Sequence, residues 1–251
     1  MRISFFFLLL ILCSSISRSQ SSEIDYQSLG DKYFFSLEYD KAMEIYKKGL
    51  NNKPNDYELN WKIARLLVNY GEVPGNEKKN YFNEAKKYAE KSINLNPKGS
   101  EGYTFSAAAI GNLAFYAGNK EKLQASNLML NRLNKAIELN PDDHIALSIL
   151  GSVERMFAGL SWLERTLAGV IYSADVPNGS YETAVKYFKK AISIDSRLNR
   201  HHYELALTYL EMEKFDLAKL EFEKVLRCPV ILKADSRRIE LTKEKLNQIG
   251  K

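Results

Sequence analysis

A chain of 251 residues with 45% hydrophobic and 27% charged residues has the composition of a folded globular protein, which excludes disorder as the starting expectation. Only 13 Gly and 6 Pro, set against abundant Leu, Lys, Glu, Ala and Tyr, disfavour a turn-rich β architecture and point to an all-α class. The formal charge of +5 is spread over interleaved Lys and Glu with no dense basic block, so nucleic acid is not an expected partner.

In chain order, Arg2, the apolar run from Phe5 to Leu12 and the small polar stretch from Cys13 to Ser19 read as a secretory signal over residues 1–19. A run of about ten apolar residues is well short of the roughly 20 that span a bilayer as a helix. Ser17 and Ser19 place cleavage after Ser19, leaving a single domain over 20–251 that is exported to the periplasm or the cell exterior. Two alternatives stay open: an uncleaved anchor that leaves the domain on a membrane, and lipid modification of Cys13. Leu12 speaks against the second, since a lipoprotein signal puts a small residue before its cysteine. Loss of Arg2 and Arg18 takes the charge from +5 to +3, and Cys228 becomes the only cysteine, so no internal disulfide can form.

Three later strings echo one another: Ala89 to Pro97, Leu133 to Pro141, and Phe188 to Ser196. Each looks like the end of the second helix of a tetratricopeptide repeat, a 34-residue unit of two antiparallel helices. From Glu23, the residues Tyr26, Leu29, Gly30, Tyr33, Tyr39, Ala42, Tyr46, Gly49 and Pro54 fall on positions 4, 7, 8, 11, 17, 20, 24, 27 and 32 of that unit. Small residues let the paired helices approach while large ones fill the gaps between turns. The same register gives repeats near 23–56, 57–99, 100–143, 144–198 and 199–232. The second, third and fourth carry nine, ten and 21 extra residues between their helices, and Gly71, Pro74 and Gly75 are read as a helix break. A charged helix over 233–249 caps the last apolar surface. The expected fold is a right-handed α-solenoid of helical hairpins with a C-terminal capping helix.

Residues 57 to 251 resemble the regulator of microtubule dynamics family. The resemblance rests on Trp61-Lys62-Ile63-Ala64-Arg65, on Asn140-Pro141-Asp142-Asp143 with Leu150-Gly151, and on Leu160-Ser161-Trp162-Leu163-Glu164-Arg165 leading to Tyr181 and Ala184. It implies a helical-repeat interaction protein with no catalytic residues to carry over. A secretory signal would separate the chain from cytosolic microtubules, so the fold and the binding character are carried over and the tubulin partner is not. A microtubule-associated adaptor remains an alternative.

The chain carries no glycine-rich phosphate loop, nucleophile elbow or paired-cysteine metal motif, and its carboxylates sit among lysines at helical spacing as a solvated face. His201 and His202 are adjacent on a helix, so their side chains diverge and are read as solvent-facing; Asp142 and Asp143 ahead of His144 are read as helix caps. No catalytic residue, cofactor or metal is expected. The expected function is a non-catalytic scaffold for a protein or peptide, with an enzyme or small-ligand receptor on the same solenoid as the other class. In the resemblance, the concave positions of the first helices are Trp61, Arg65, Asn69, Thr104, Asn112, Ser148, Ser152, Arg155 and Tyr203. Aromatics with arginine are frequent interface anchors; Trp61 packing between repeats is the competing reading.

The long insertion brings the last expectation. Ser161 and Glu164 form a capping box, and Trp162, Leu163, Leu167, Val170 and Ile171 gather on one face opposite Glu164 and Arg165. Either this helix folds back and plugs the groove, with Trp162 buried, or its apolar face is free for a partner or a membrane surface. The first is the expectation, because a free apolar helix is an aggregation liability.

Overall fold

Four helices begin where a short polar side chain satisfies the open amides of the helix start. Asp25 accepts from the amides of Gln27 and Ser28, Asp56 from Leu59, Asp143 from Ala146, and Ser180 from Thr183. The computed structural model of the chain describes residues 24–75, 77–172 and 178–250. The proposed signal at 1–19 lies outside the described residues. Among those described there are twelve helices and no strand: α1 (Tyr26–Phe35), α2 (Tyr39–Asn52), α3 (Tyr57–Glu72), α4 (Lys78–Leu95), α5 (Ser100–Ala114), α6 (Asn119–Leu139), α7 (His144–Ala158), α8 (Trp162–Tyr172), α9 (Tyr181–Ile194), α10 (Asn199–Glu211), α11 (Phe215–Arg227) and α12 (Asp235–Ile249).

The chain is a tetratricopeptide-type α-solenoid. α1 packs on α2, α3 on α4, α5 on α6, α7 on α9 and α10 on α11, and α12 covers α11 and α10. Within the hairpins, small residues sit where helices meet. A Cβ on Gly30 would lie 2.2 Å from the Tyr46 ring, and one on Gly151 would lie 2.8 Å from Phe188, so only glycine admits those rings. Ala42, Ala64, Ala107 and Ala184 have no exposed surface for the same reason. The additional chain in the second and third hairpins goes largely into longer helices: α3 has 16 residues against 10 in α1, and α4 and α6 have 18 and 21 against 14 in α2. Gly71 does not break α3 as its composition suggested. It lies inside the helix, against the Phe82 ring.

One core cluster runs from Phe34 to Phe157, and a second joins α9, α10 and α11 through Phe188, Leu205 and Phe222. The superhelix curls until its ends meet. Leu232, between α11 and α12, packs on the first cluster; the Lys233 amide donates to Tyr39 Oη at 3.1 Å, and Lys233 Nζ lies 4.7 Å from the Tyr39 ring centroid.

Candidate functional site

The concave side is a channel in two parts. The first is a cavity of about 380 Å³ lined by the rings of Phe34, Phe35, Trp61 and Phe105 together with His144, Leu198 and Leu232. Trp61 and Phe105 stack with centroids 5.9 Å apart, so Trp61 is both a packing residue between repeats and a channel wall. Arg65 lies 4.1 Å over Phe34 and 5.3 Å over Trp61, and bonds Asp31 at 2.5 Å. Lys62 reaches the other oxygen of Asp31 at 2.6 Å, while Tyr46 donates its hydroxyl at 2.6 Å to the oxygen that Arg65 binds. Burial alone would push the Asp31 carboxyl up; Arg65 and Lys62 outweigh it and hold it below its ordinary value. This cluster fixes the rings through stacking and cation–π contact.

The second cavity, about 400 Å³, is lined by Asn112, Phe115, Tyr116, Tyr203 and Glu204, with Arg237 and Arg238 from the closing helix. Of the concave residues expected from the sequence, Trp61, Arg65, Asn69 and Thr104 line the first part, and Asn112 and Tyr203 line the second. Asn69 and Asn112 are tied down, each donating its side-chain amide to the carbonyl four residues earlier, those of Arg65 and Ala108. Ser148 is buried. Ser152 and Arg155 belong to a polar bridge between α7 and α10, in which Arg155 grips Glu204 at 2.7 Å and Glu211 at 2.5 Å.

Glu72, at the end of α3, separates the two cavities and lines both. It meets Arg200 of α10 at 2.7 Å and Arg238 of α12 at 2.5 Å. Burial would raise its pKa, but the two guanidinium groups more than offset this and lower it. Asp235, fully buried, accepts from Arg238 and from the Ile231 and Leu232 amides, which shapes the closing turn. Sequence reasoning passed over Glu72, Arg200 and Arg238. The contacts span 128 and 166 residues, and no local pattern marks them.

Two sequence expectations fail. His201 and His202 are buried rather than solvent-facing. Their side chains do diverge: His202 Nδ1 is 2.7 Å from Glu221, and His201 Nε2 is 3.1 Å from His144 Nδ1. Burial, followed by the neighbouring His144, pushes His201 down to about 3, and burial lowers His144 as well, so that pair is neutral near pH 7. Of the acidic pair expected to cap α7, Asp143 does so, and it also accepts from Thr104 at 2.6 Å.

Trp162 is 77% exposed rather than buried, and Leu163 and Leu167 are exposed beside it. The capping box does form, with the Ser161 hydroxyl and amide both donating to Glu164. Arg165 ties the start of α8 to the carbonyls of Phe157 and Leu160. The side chains of Val170 and Ile171 lie outside the described residues. The Arg155–Glu204–Glu211 bridge makes the inner faces of α7 and α10 polar there, and a polar stretch offers an indole no apolar seat. No described helix is long and apolar enough to cross a membrane. Among the described residues no group of three or more His, Cys, Asp or Glu is placed to hold a metal ion.

Comparison with known proteins agrees with this architecture. A thermophilic TPR protein of Thermus thermophilus superposes with a TM-score of 0.59 at 20% identity, covering 86% of this chain and 96% of that one. The type IV pilus biogenesis factor PilW does so at 0.52 and 15% identity, covering 89% and 84%. Regulator of microtubule dynamics protein 1 of Mus musculus is 29% identical over 186 residues, 72% of this chain and 61% of the mouse protein. Its Caenorhabditis elegans counterpart is 25% identical over 208 residues, 82% of this chain and 92% of that protein. The chain thus spans about 60% of the length of the mouse and bovine regulator of microtubule dynamics protein 1. With a family model described as "Regulator of microtubule dynamics protein 1-3" matching residues 27–250, the chain belongs to the regulator of microtubule dynamics family.

Proposed function

We propose that the chain is a non-catalytic scaffold that holds a protein or peptide partner in its concave channel. The observation that carries this reading is the first cavity, where Phe34, Phe35 and Trp61 surround Arg65 and Phe105 stacks on Trp61. These residue types dominate the energetics of protein interfaces, and here they are held rigid before any partner arrives. The volume of about 380 Å³ suits an extended segment rather than a folded domain. The same volume lies within the range of small-ligand pockets, which keeps a small-molecule receptor as the second reading.

Phe35 is the residue on which to test this, because it is 55% exposed and can be changed without opening the core. Immobilised full-length chain captures partners from the native organism, and Phe35→Ser should weaken capture of the principal partner about tenfold or more. Capture that is indifferent to both Phe35→Ser and Trp61→Ala would overturn the reading.

Two further expectations belong to this proposal. Export to the periplasm or the cell exterior is supported by the apolar run before Cys13, and N-terminal mass spectrometry of the mature protein tests it. A microtubule-linked role is supported by the names of the relatives, and co-sedimentation with polymerised tubulin tests it.

A further inference from the structure

Glu72 stands where the local rules disfavour it. It is the last residue of α3, and a carboxylate at a helix C-terminus opposes the negative end of the macrodipole. It is held there by two arginines that belong to the opposite end of the chain, Arg200 on α10 and Arg238 on α12. Arg238 is held in place independently, since it is also pinned to the buried Asp235. Two preset guanidinium groups converging on one carboxylate are the geometry by which proteins recognise acidic ligands, because each guanidinium offers a planar fork of donors. Here the pair sits between two cavities, and Glu72 and Arg200 face both of them.

We propose that Arg200 and Arg238 form the receptor for an acidic side chain of a peptide partner, and that Glu72 fills that receptor as an internal stand-in until the partner arrives. The proposal rests on the reading of the channel as a peptide groove and names the chemistry of its occupant. Exchange keeps both arginines paired throughout, so no buried charge is stranded, which is what makes breaking a buried ion pair costly elsewhere. The displaced Glu72 turns into the channel, where water solvates it. Because Glu72 is the ion-pair link from α3 to both α10 and α12, its displacement also loosens the closure between the two ends of the solenoid. Binding of the acidic group and opening of the ring are then one event, and the partner works against a resident competitor that lowers its apparent affinity.

The test uses the full-length chain and a fluorescein-labelled hexaglutamate peptide, titrated at low salt and followed by anisotropy. Glu72→Gln removes the competitor's charge and should tighten hexaglutamate binding about tenfold or more. Adding Arg238→Gln or Arg200→Gln to that variant should return the affinity to the wild-type level or below. If Glu72→Gln does not fold by circular dichroism, Glu72→Asp keeps the charge but shortens the reach, and should still tighten binding several-fold. Equal affinity for wild type and both Glu72 variants overturns the proposal, as does a gain that survives loss of the arginines or that appears equally with hexalysine. A gain for inorganic phosphate without one for hexaglutamate also overturns it, by assigning the arginines to a phosphate. Partner capture that depends on Phe35 while hexaglutamate affinity ignores Glu72 leaves the scaffold reading intact and removes this proposal alone.

Discussion

At Gly30 a single hydrogen decides whether α1 and α2 can meet. The Tyr46 ring that would strike a Cβ there is fully buried, and its hydroxyl is held by Asp31 and Arg65, so it cannot swing aside. Gly30→Ala gains about 1 kcal/mol of helix propensity but overpacks the hairpin, and a net loss of about 2 kcal/mol is expected from the urea midpoint. The repeat register foretold this contact, because Gly30 and Tyr46 occupy the small and large positions of one unit. The histidines were not legible in the same way. His201 meets His144 across 57 residues, and nothing near either residue in the sequence announces it. Its consequence is a pH dependence. The folded-state pKa of His201 is depressed to about 3, so between that value and the ordinary 6.5 the unfolded chain binds the extra proton and stability falls as pH drops. The slope is about 1.4 kcal/mol per pH unit for one histidine, or roughly 2 kcal/mol between pH 6.5 and 5. His201→Gln should flatten the urea-midpoint profile across that window; an unchanged slope would show that the ring is not held neutral.

Among the helices, α8 departs most from what its sequence promised. Its amphipathic pattern and capping box were readable and are present, but pattern does not say which surface receives an apolar face. The receiving surface is a property of α7 and α10, whose arginine and glutamates filled the place first. Since Trp162 touches little of the body, Trp162→Ala should leave stability within about 0.5 kcal/mol of wild type, and thermal denaturation checks it. A larger loss would mean that the indole is packed. The regular hairpins were legible because each is a local unit, with cap, small residue and large residue all inside one repeat length. The insertions were legible in position but not in form, since extra chain can lengthen a helix, as in α6, without altering the repeat pattern on either side.

For the whole molecule, the feature absent from the repeat pattern is closure. Repeats specify how each hairpin stacks on the next, whereas the meeting of first and last repeats depends on the curvature accumulated over all of them. That meeting rests on few groups, among them the Lys233 amide on Tyr39 and the arginines on Glu72. Tyr39→Phe keeps the buried ring and removes the acceptor. Hydrogen exchange at the Lys233 amide should then accelerate about tenfold or more, while amides of α4 and α5 keep their protection. Exchange that slows nowhere and quickens nowhere would place the closure elsewhere. Closure also sets a timetable for synthesis. Glu72 leaves the ribosome 166 residues ahead of Arg238, an interval of roughly ten to thirty seconds at ordinary elongation rates. For the first 128 residues of it the early hairpins can stack and bury their own rings, but the carboxylate at the end of α3 has neither of its arginines to meet, and Arg200 precedes Arg238. The nascent protein is therefore an open arc with an accessible inner wall, and the ring is completed only when the last helix is released.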